Sequence, residues 1–150
     1  MSAKLTMSCV CAAAIASVLC VRAANTEENS KPRIYSNLCT EKYSGDIAGY
    51  EVTLSVVGRI PSVLFDWTEG ALMKPVHASN VAFDRETGEL SFSAVATDRP
   101  LVFQGRVDTR TLTGMLHWGP TPHGRPSDEP LQLARQYGTG NRSKCAPFRS

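Results

Sequence analysis

Apolar residues recur at every second position in five stretches of this chain, and that period restricts it to extended structure. Tyr50, Val52, Leu54 and Val56 form the first set, and Val63, Phe65 and Trp67 the second. Leu90, Phe92, Ala94 and Ala96 follow, then Leu101, Phe103 and Val107, then Leu112, Leu116 and Trp118. Successive side chains of a strand point to opposite faces, so each stretch turns one face to a core and the other to water. Val76 to Phe83 is a sixth, weaker strand candidate.

The connections carry turn chemistry. Asp84-Arg85-Glu86-Thr87-Gly88 suits a tight turn with Gly88 in the left-handed region. Asp98-Arg99-Pro100 and Asp108-Thr109-Arg110 predict similar short turns. Gly105 and Gly114 fall on the inward phase, where a missing side chain permits bending or close packing. The prediction is a mainly β fold of about six to eight strands, an antiparallel meander forming a small barrel or sandwich. Past Trp118, three prolines between Gly119 and Pro126 predict a loop. Ser127 then reads as the cap of a short C-terminal helix with Leu131 to Tyr137 as its body and Gly138 as its stop.

The first residues point to export. Lys4 precedes an apolar run from Met7 to Val21, and Val21-Arg22-Ala23 leads into a polar stretch. That run is about 15 residues, short of the roughly 20 a spanning helix needs. Residues 1–23 are therefore expected to be a signal peptide cleaved after Ala23. Ser17-Val18-Leu19 before Cys20 does not fit a lipoprotein signal. Residues 24–37 are polar, lack apolar period and predict a disordered N-terminal segment ahead of one β domain over 38–150. The mature chain of about 127 residues is enough for a single domain, with no membrane span left after cleavage.

Charge and cysteine usage narrow the class. Lys4 and Arg22 leave with the leader, so 16 basic residues fall to 14, level with the 14 acidic ones. A neutral chain is not built to displace phosphate counterions, which argues against a nucleic-acid partner. Cys9, Cys11 and Cys20 also leave with the leader, and Cys39 and Cys145 remain as a pair near the two ends. In an oxidising compartment, secreted or periplasmic, such thiols form a disulfide.

Candidate chemistry is sparse. His77, His117 and His123 show no metal-ligand spacing, no phosphate loop or serine elbow occurs, and no cofactor is expected. Asp66 and Glu69 stand beside Trp67 and Gly70, two acids near an aromatic ring, as in glycan-active enzymes; a charged strand end before a turn explains the same residues. Trp67, Trp118, Tyr50 and Phe103 share the inward phase: they line a ligand cavity if the barrel is wide and fill the core if it is narrow. Arg85, Arg99, Arg106 and Arg110 sit near successive turns, and Arg125, Arg135, Arg142, Lys144 and Arg149 make the C-terminal third basic, the composition of an interaction or inhibitor surface. Asn141-Arg142-Ser143 matches a glycosylation acceptor.

A meander with an inward tryptophan resembles the lipocalin and avidin barrels in outline. The early Gly-x-Trp of lipocalins is absent, since the first strand here opens Gly49-Tyr50. The expectation is an exported, non-enzymatic binding module for a small apolar ligand or an envelope or protein partner.

Overall fold

A computed structural model describes residues 31–70, 74–120, 124–138 and 143–145. Residues 1–30, with Cys9, Cys11 and Cys20, and His123, Asn141, Arg142 and Arg149, lie outside the described residues.

Among the described residues, eleven strands form one sheet: β1 Arg33–Ser36, β2 Cys39–Thr40, β3 Ile47–Val57, β4 Ile60–Gly70, β5 Val76–His77, β6 Ser79–Phe83, β7 Glu89–Ala96, β8 Arg99–Val107, β9 Thr111–Trp118, β10 Ser127–Gln136 and β11 Ser143–Lys144. From β6 through β10 the neighbours follow one another as an antiparallel meander, and β1 then sits between β10 and β3. β3 pairs with β4 along both of their lengths. The chain then crosses back: β5 pairs with β4, and after Ala78 the strand passes over to β7 as β6. This crossover nearly closes the sheet into a barrel, which leaves few free strand edges.

The weak candidate at Val76 to Phe83 is thus two strands serving two neighbours. Ala78 N donates to Val63 O at 2.9 Å before the switch, and the register with β7 shifts between Ser79 and Ala82. Asn80 takes a positive φ of 51° in that shift, a conformation Asn tolerates better than most residues.

The inward phase read from the sequence fills the barrel. Val52, Leu54, Val63, Phe65, Leu90, Phe92, Leu101, Leu112 and Leu116 are buried in one cluster. Tyr50, Phe65, Phe92 and Phe103 run through it as a chain of ring contacts with centroids 6.1, 6.0 and 5.1 Å apart. Gly105 and Gly114 face each other on β8 and β9. A Cβ built on either would lie 2.5 or 2.8 Å from the Phe103 ring, so that ring occupies the space side chains would need. Close packing of this kind leaves no free space at that level of the barrel.

Two expectations are corrected. The short C-terminal helix is strand β10, with Leu131 and Leu133 buried two residues apart, a strand spacing that a helix would have put on different faces. Of the segment expected to be disordered over 24–37, residues 24–30 lie outside the described residues, and Arg33–Ser36 form β1, where Tyr35 is 0% exposed and its hydroxyl donates to Asp108 O at 3.1 Å. Backbone pairing with β3 and β10 together with burial of that ring offsets the cost of ordering these residues.

The turns follow their residues. Gly88 has φ +78°, and a Cβ there would meet Val107 O at 2.3 Å. Asp108 closes the β8–β9 turn, accepting from the N–H groups of Arg110 and Thr111 at 2.6 and 2.7 Å. The β7–β8 turn is Thr97-Asp98, both at positive φ, one residue ahead of the predicted stretch; Arg99 and Pro100 already belong to β8. Cys39 and Cys145 form the predicted disulfide, tying β11 beside β2 with Cα atoms 4.8 Å apart.

Candidate functional site

The inward tryptophans meet at one end of the barrel. Trp67 on β4 and Trp118 on β9 lie edge to face, centroids 5.5 Å apart at 61°. Ala94 and Ala96, small inward residues at the same end of β7, leave them room. Trp118 is 6% exposed, whereas Trp67 is half-buried and closes the cluster from the solvent side. Tyr50, directly opposite Trp67 in the β3–β4 register, shares this end. Phe103 does not: it is 0% exposed in mid-barrel. Three of the four aromatic candidates therefore gather at one mouth, and the fourth is core.

Two charged residues complete the mouth. Arg99 stands two positions before inward Leu101, and its guanidinium lies 5.0 Å from the Trp118 ring centre. It is held there by Nε donating to Gly119 O at 2.9 Å and Nη2 donating to Ser127 Oγ at 3.0 Å. Such a cation over an indole is a favourable electrostatic contact. Glu129 stands two positions before inward Leu131 and accepts a 2.6 Å hydrogen bond from the Tyr50 hydroxyl. That bond links β3 to β10 beyond the end of β1. Asn37 steadies the tyrosine from below, its Oδ1 accepting from Tyr50 N at 2.7 Å. Gly49 makes this possible, since a Cβ there would lie 2.7 Å from Asn37 Oδ1.

The other candidates are dispersed. Asp66 is on the outward phase of β4, opposite Glu51, so it does not share a face with Trp67. Glu69 pairs through its backbone register with Ala48. His117 Nδ1 and Asp128 Oδ1 are 2.8 Å apart on the exposed outer wall, and His77 is exposed on β5. Among the described residues, no group of three His, Cys, Asp or Glu side chains is gathered as for a metal. Arg85 reaches the β3–β4 hairpin, Nη2 donating to Gly58 O, and Arg135 lies 4.9 Å from the Tyr137 ring. Arg85 and Arg135 thus serve separate local contacts.

The sequence reading placed Arg99 only among the arginines near successive turns and did not single out Glu129. The available signal was parity: each lies two positions from a buried leucine of its own strand, which sends a charged side chain inward.

No protein-family model, curated protein or solved structure matches the chain. Its class is defined by the fold alone: a small, nearly closed, mainly antiparallel β-barrel-like sheet with a Cys39–Cys145 disulfide.

Proposed function

We propose that this protein is an exported, non-enzymatic binding module that meets an envelope or protein partner with its surface, centred on the mouth of Tyr50, Trp67, Trp118, Arg99 and Glu129. One observation carries the reading: the interior is packed with side chains, Phe103 against Gly105 and Gly114, which favours a surface over a ligand-holding lumen. Aromatic and arginine side chains around a partly buried centre are the composition of interface hot spots.

Export is supported by the leader-like first residues and by a disulfide of the kind that persists in oxidising compartments. No helix among the described residues is long and apolar enough to cross a membrane.

The test is retention by the immobilised, oxidised protein of a component from a solubilised envelope fraction of its own cell. Trp67→Ala, confirmed folded by circular dichroism, is expected to weaken that retention by about 2 kcal/mol, the size of a hot-spot loss. Equal retention by both proteins, or saturable uptake of a small apolar ligand instead, contradicts the reading.

A further inference from the structure

The outer wall of the meander departs from the polar face that alternation leads one to expect. On β7, β8 and β9 the residues turned away from the core are mostly polar, among them Ser91, Ser93, Arg106 and Thr113. Val95, Pro100, Val102 and Met115 hold outward positions on the same strands, with Val95 59% exposed, Val102 38% and Met115 37%. The register makes them neighbours. Val95 is opposite Pro100, Val102 follows two positions along β8, and Met115, opposite Gln104, lies diagonally from Val102. Diagonal neighbours on one face are within reach of long side chains. An apolar stripe thus crosses three strands, about 17 Å from Val95 to Met115 at ordinary strand spacing and rise. Contiguous exposed apolar side chains rimmed by polar ones mark an interaction surface.

The two flanks of the stripe carry opposite chemistry. On one side His117 faces Val102 and Asp128 faces His117, their side chains 2.8 Å apart. The Asp128 side chain stays 65% exposed, which leaves its carboxylate open to a further donor. On the other side Gln104 faces Met115, and Arg106 follows two positions along β8. Arg106 makes no ion pair among the described residues; Glu89, opposite it on β7, lies one strand further from Met115. One flank therefore offers a carboxylate and the other an amide and a guanidinium. The register neighbours of Val102 and Met115, namely Ser93, His117, Gln104 and Pro130, are all described residues.

We propose that this wall is the contact face of a homodimer, in which a second copy of the chain packs against it about a twofold axis running along the stripe. Such an axis lays stripe on stripe and brings each flank against the opposite flank of the other copy. Asp128 of one copy then meets Gln104 and Arg106 of the other, and the contact occurs twice. Charge complementarity selects a second copy as the occupant, because one wall already holds both halves of the pairing. The face is separate from the mouth of Tyr50, Trp67 and Trp118, whose side chains are on the inward phase, so each dimer carries two mouths.

Sedimentation equilibrium of the oxidised protein from micromolar to millimolar concentration tests it, with the fold of each variant checked by circular dichroism. A monomer–dimer equilibrium is expected. Val102→Glu and Met115→Ser, both at exposed positions, are each expected to raise the dimer Kd about tenfold or more. Arg106→Glu is expected to weaken the dimer as well, and adding Asp128→Arg to it to restore association, since the reversed charges meet again across the axis. Val57→Ser, at a valine 68% exposed beside the β3–β4 turn, is expected to leave the dimer unchanged. A monomer throughout the range, a dimer indifferent to Val102→Glu, a dimer lost with Val57→Ser, or no recovery in the doubly reversed variant overturns the proposal. Retention of an envelope component through the mouth is read separately, so either result leaves the other intact.

Discussion

Gly114 and Tyr35 show what single residues contribute to a solid barrel. A methyl group at Gly114 would come within 2.3 Å of Gln104 O and 2.8 Å of the Phe103 ring, and neither backbone nor core ring can yield cheaply. Gly114→Ala is expected to cost about 1–3 kcal/mol, the usual penalty for overpacking, measured by urea unfolding. Tyr35 has a phenol whose pKa is raised, chiefly by burial, with Arg33 and Arg135 opposing the shift. A raised folded-state pKa leaves its stabilising effect whole below the ordinary value of 10.0, and that effect is lost as pH rises through the folded value. Tyr35→Phe is therefore expected to lose about 1 kcal/mol at neutral pH with its hydrogen bond to Asp108 O, yet to flatten the decline in stability above pH 10. A denaturation series across pH 7–11 reads both effects. The aromatic members of the mouth were legible from strand phase, because Tyr50, Trp67 and Trp118 are large and inward. Its charged members were not, since a lone Arg or Glu in a strand reads as solvated until its phase is fixed by the leucine two positions on.

The elements were legible where alternation ran for four positions or more, as in β3, β7 and β8. β10 was misread because Ser127-Asp128-Glu129-Pro130 imitates a helix start, with a cap residue, acids and an early proline all compatible with a first turn. The deciding feature lay further on, in Leu131 and Leu133 at strand spacing. β1 is too short for a period, and its order comes from sitting between β3 and β10, a long-range fact outside its own residues. Asp84 and Asp108 were read correctly as turn residues, and both have carboxyls lowered below the usual range. The causes are the N–H groups of Glu86 and Thr87 for Asp84, and of Arg110 and Thr111 for Asp108. Their contribution is present above the ordinary aspartate pKa of 3.8 and is lost as pH falls through the lower folded values. Asp108→Asn is expected to remove part of the acid-side decline below about pH 4, as followed by thermal unfolding at pH 2–7.

At the scale of the molecule, three features act together: a meander that nearly closes, a chain crossover from β4 to β7, and a disulfide that returns the C-terminal segment to β2. The bridge spans 106 residues, and reducing it or replacing Cys39 and Cys145 by serine is expected to cost about 2–5 kcal/mol in a denaturant titration. Because β11 is only two residues long, the loss falls first on the pairing of β11 with β2. Barrel closure is decided by pairings such as β1 with β10 that join residues about a hundred positions apart, so the sequence led only to a choice between barrel and sandwich. Whether the interior holds side chains or space is the point on which the proposed surface binding turns. Titration of the oxidised protein with 1-anilinonaphthalene-8-sulfonate, followed by tryptophan fluorescence, addresses it directly. A filled barrel predicts no saturable change from either Trp67 or Trp118; a stoichiometric response abolished by Phe103→Trp would reveal a lumen and contradict it.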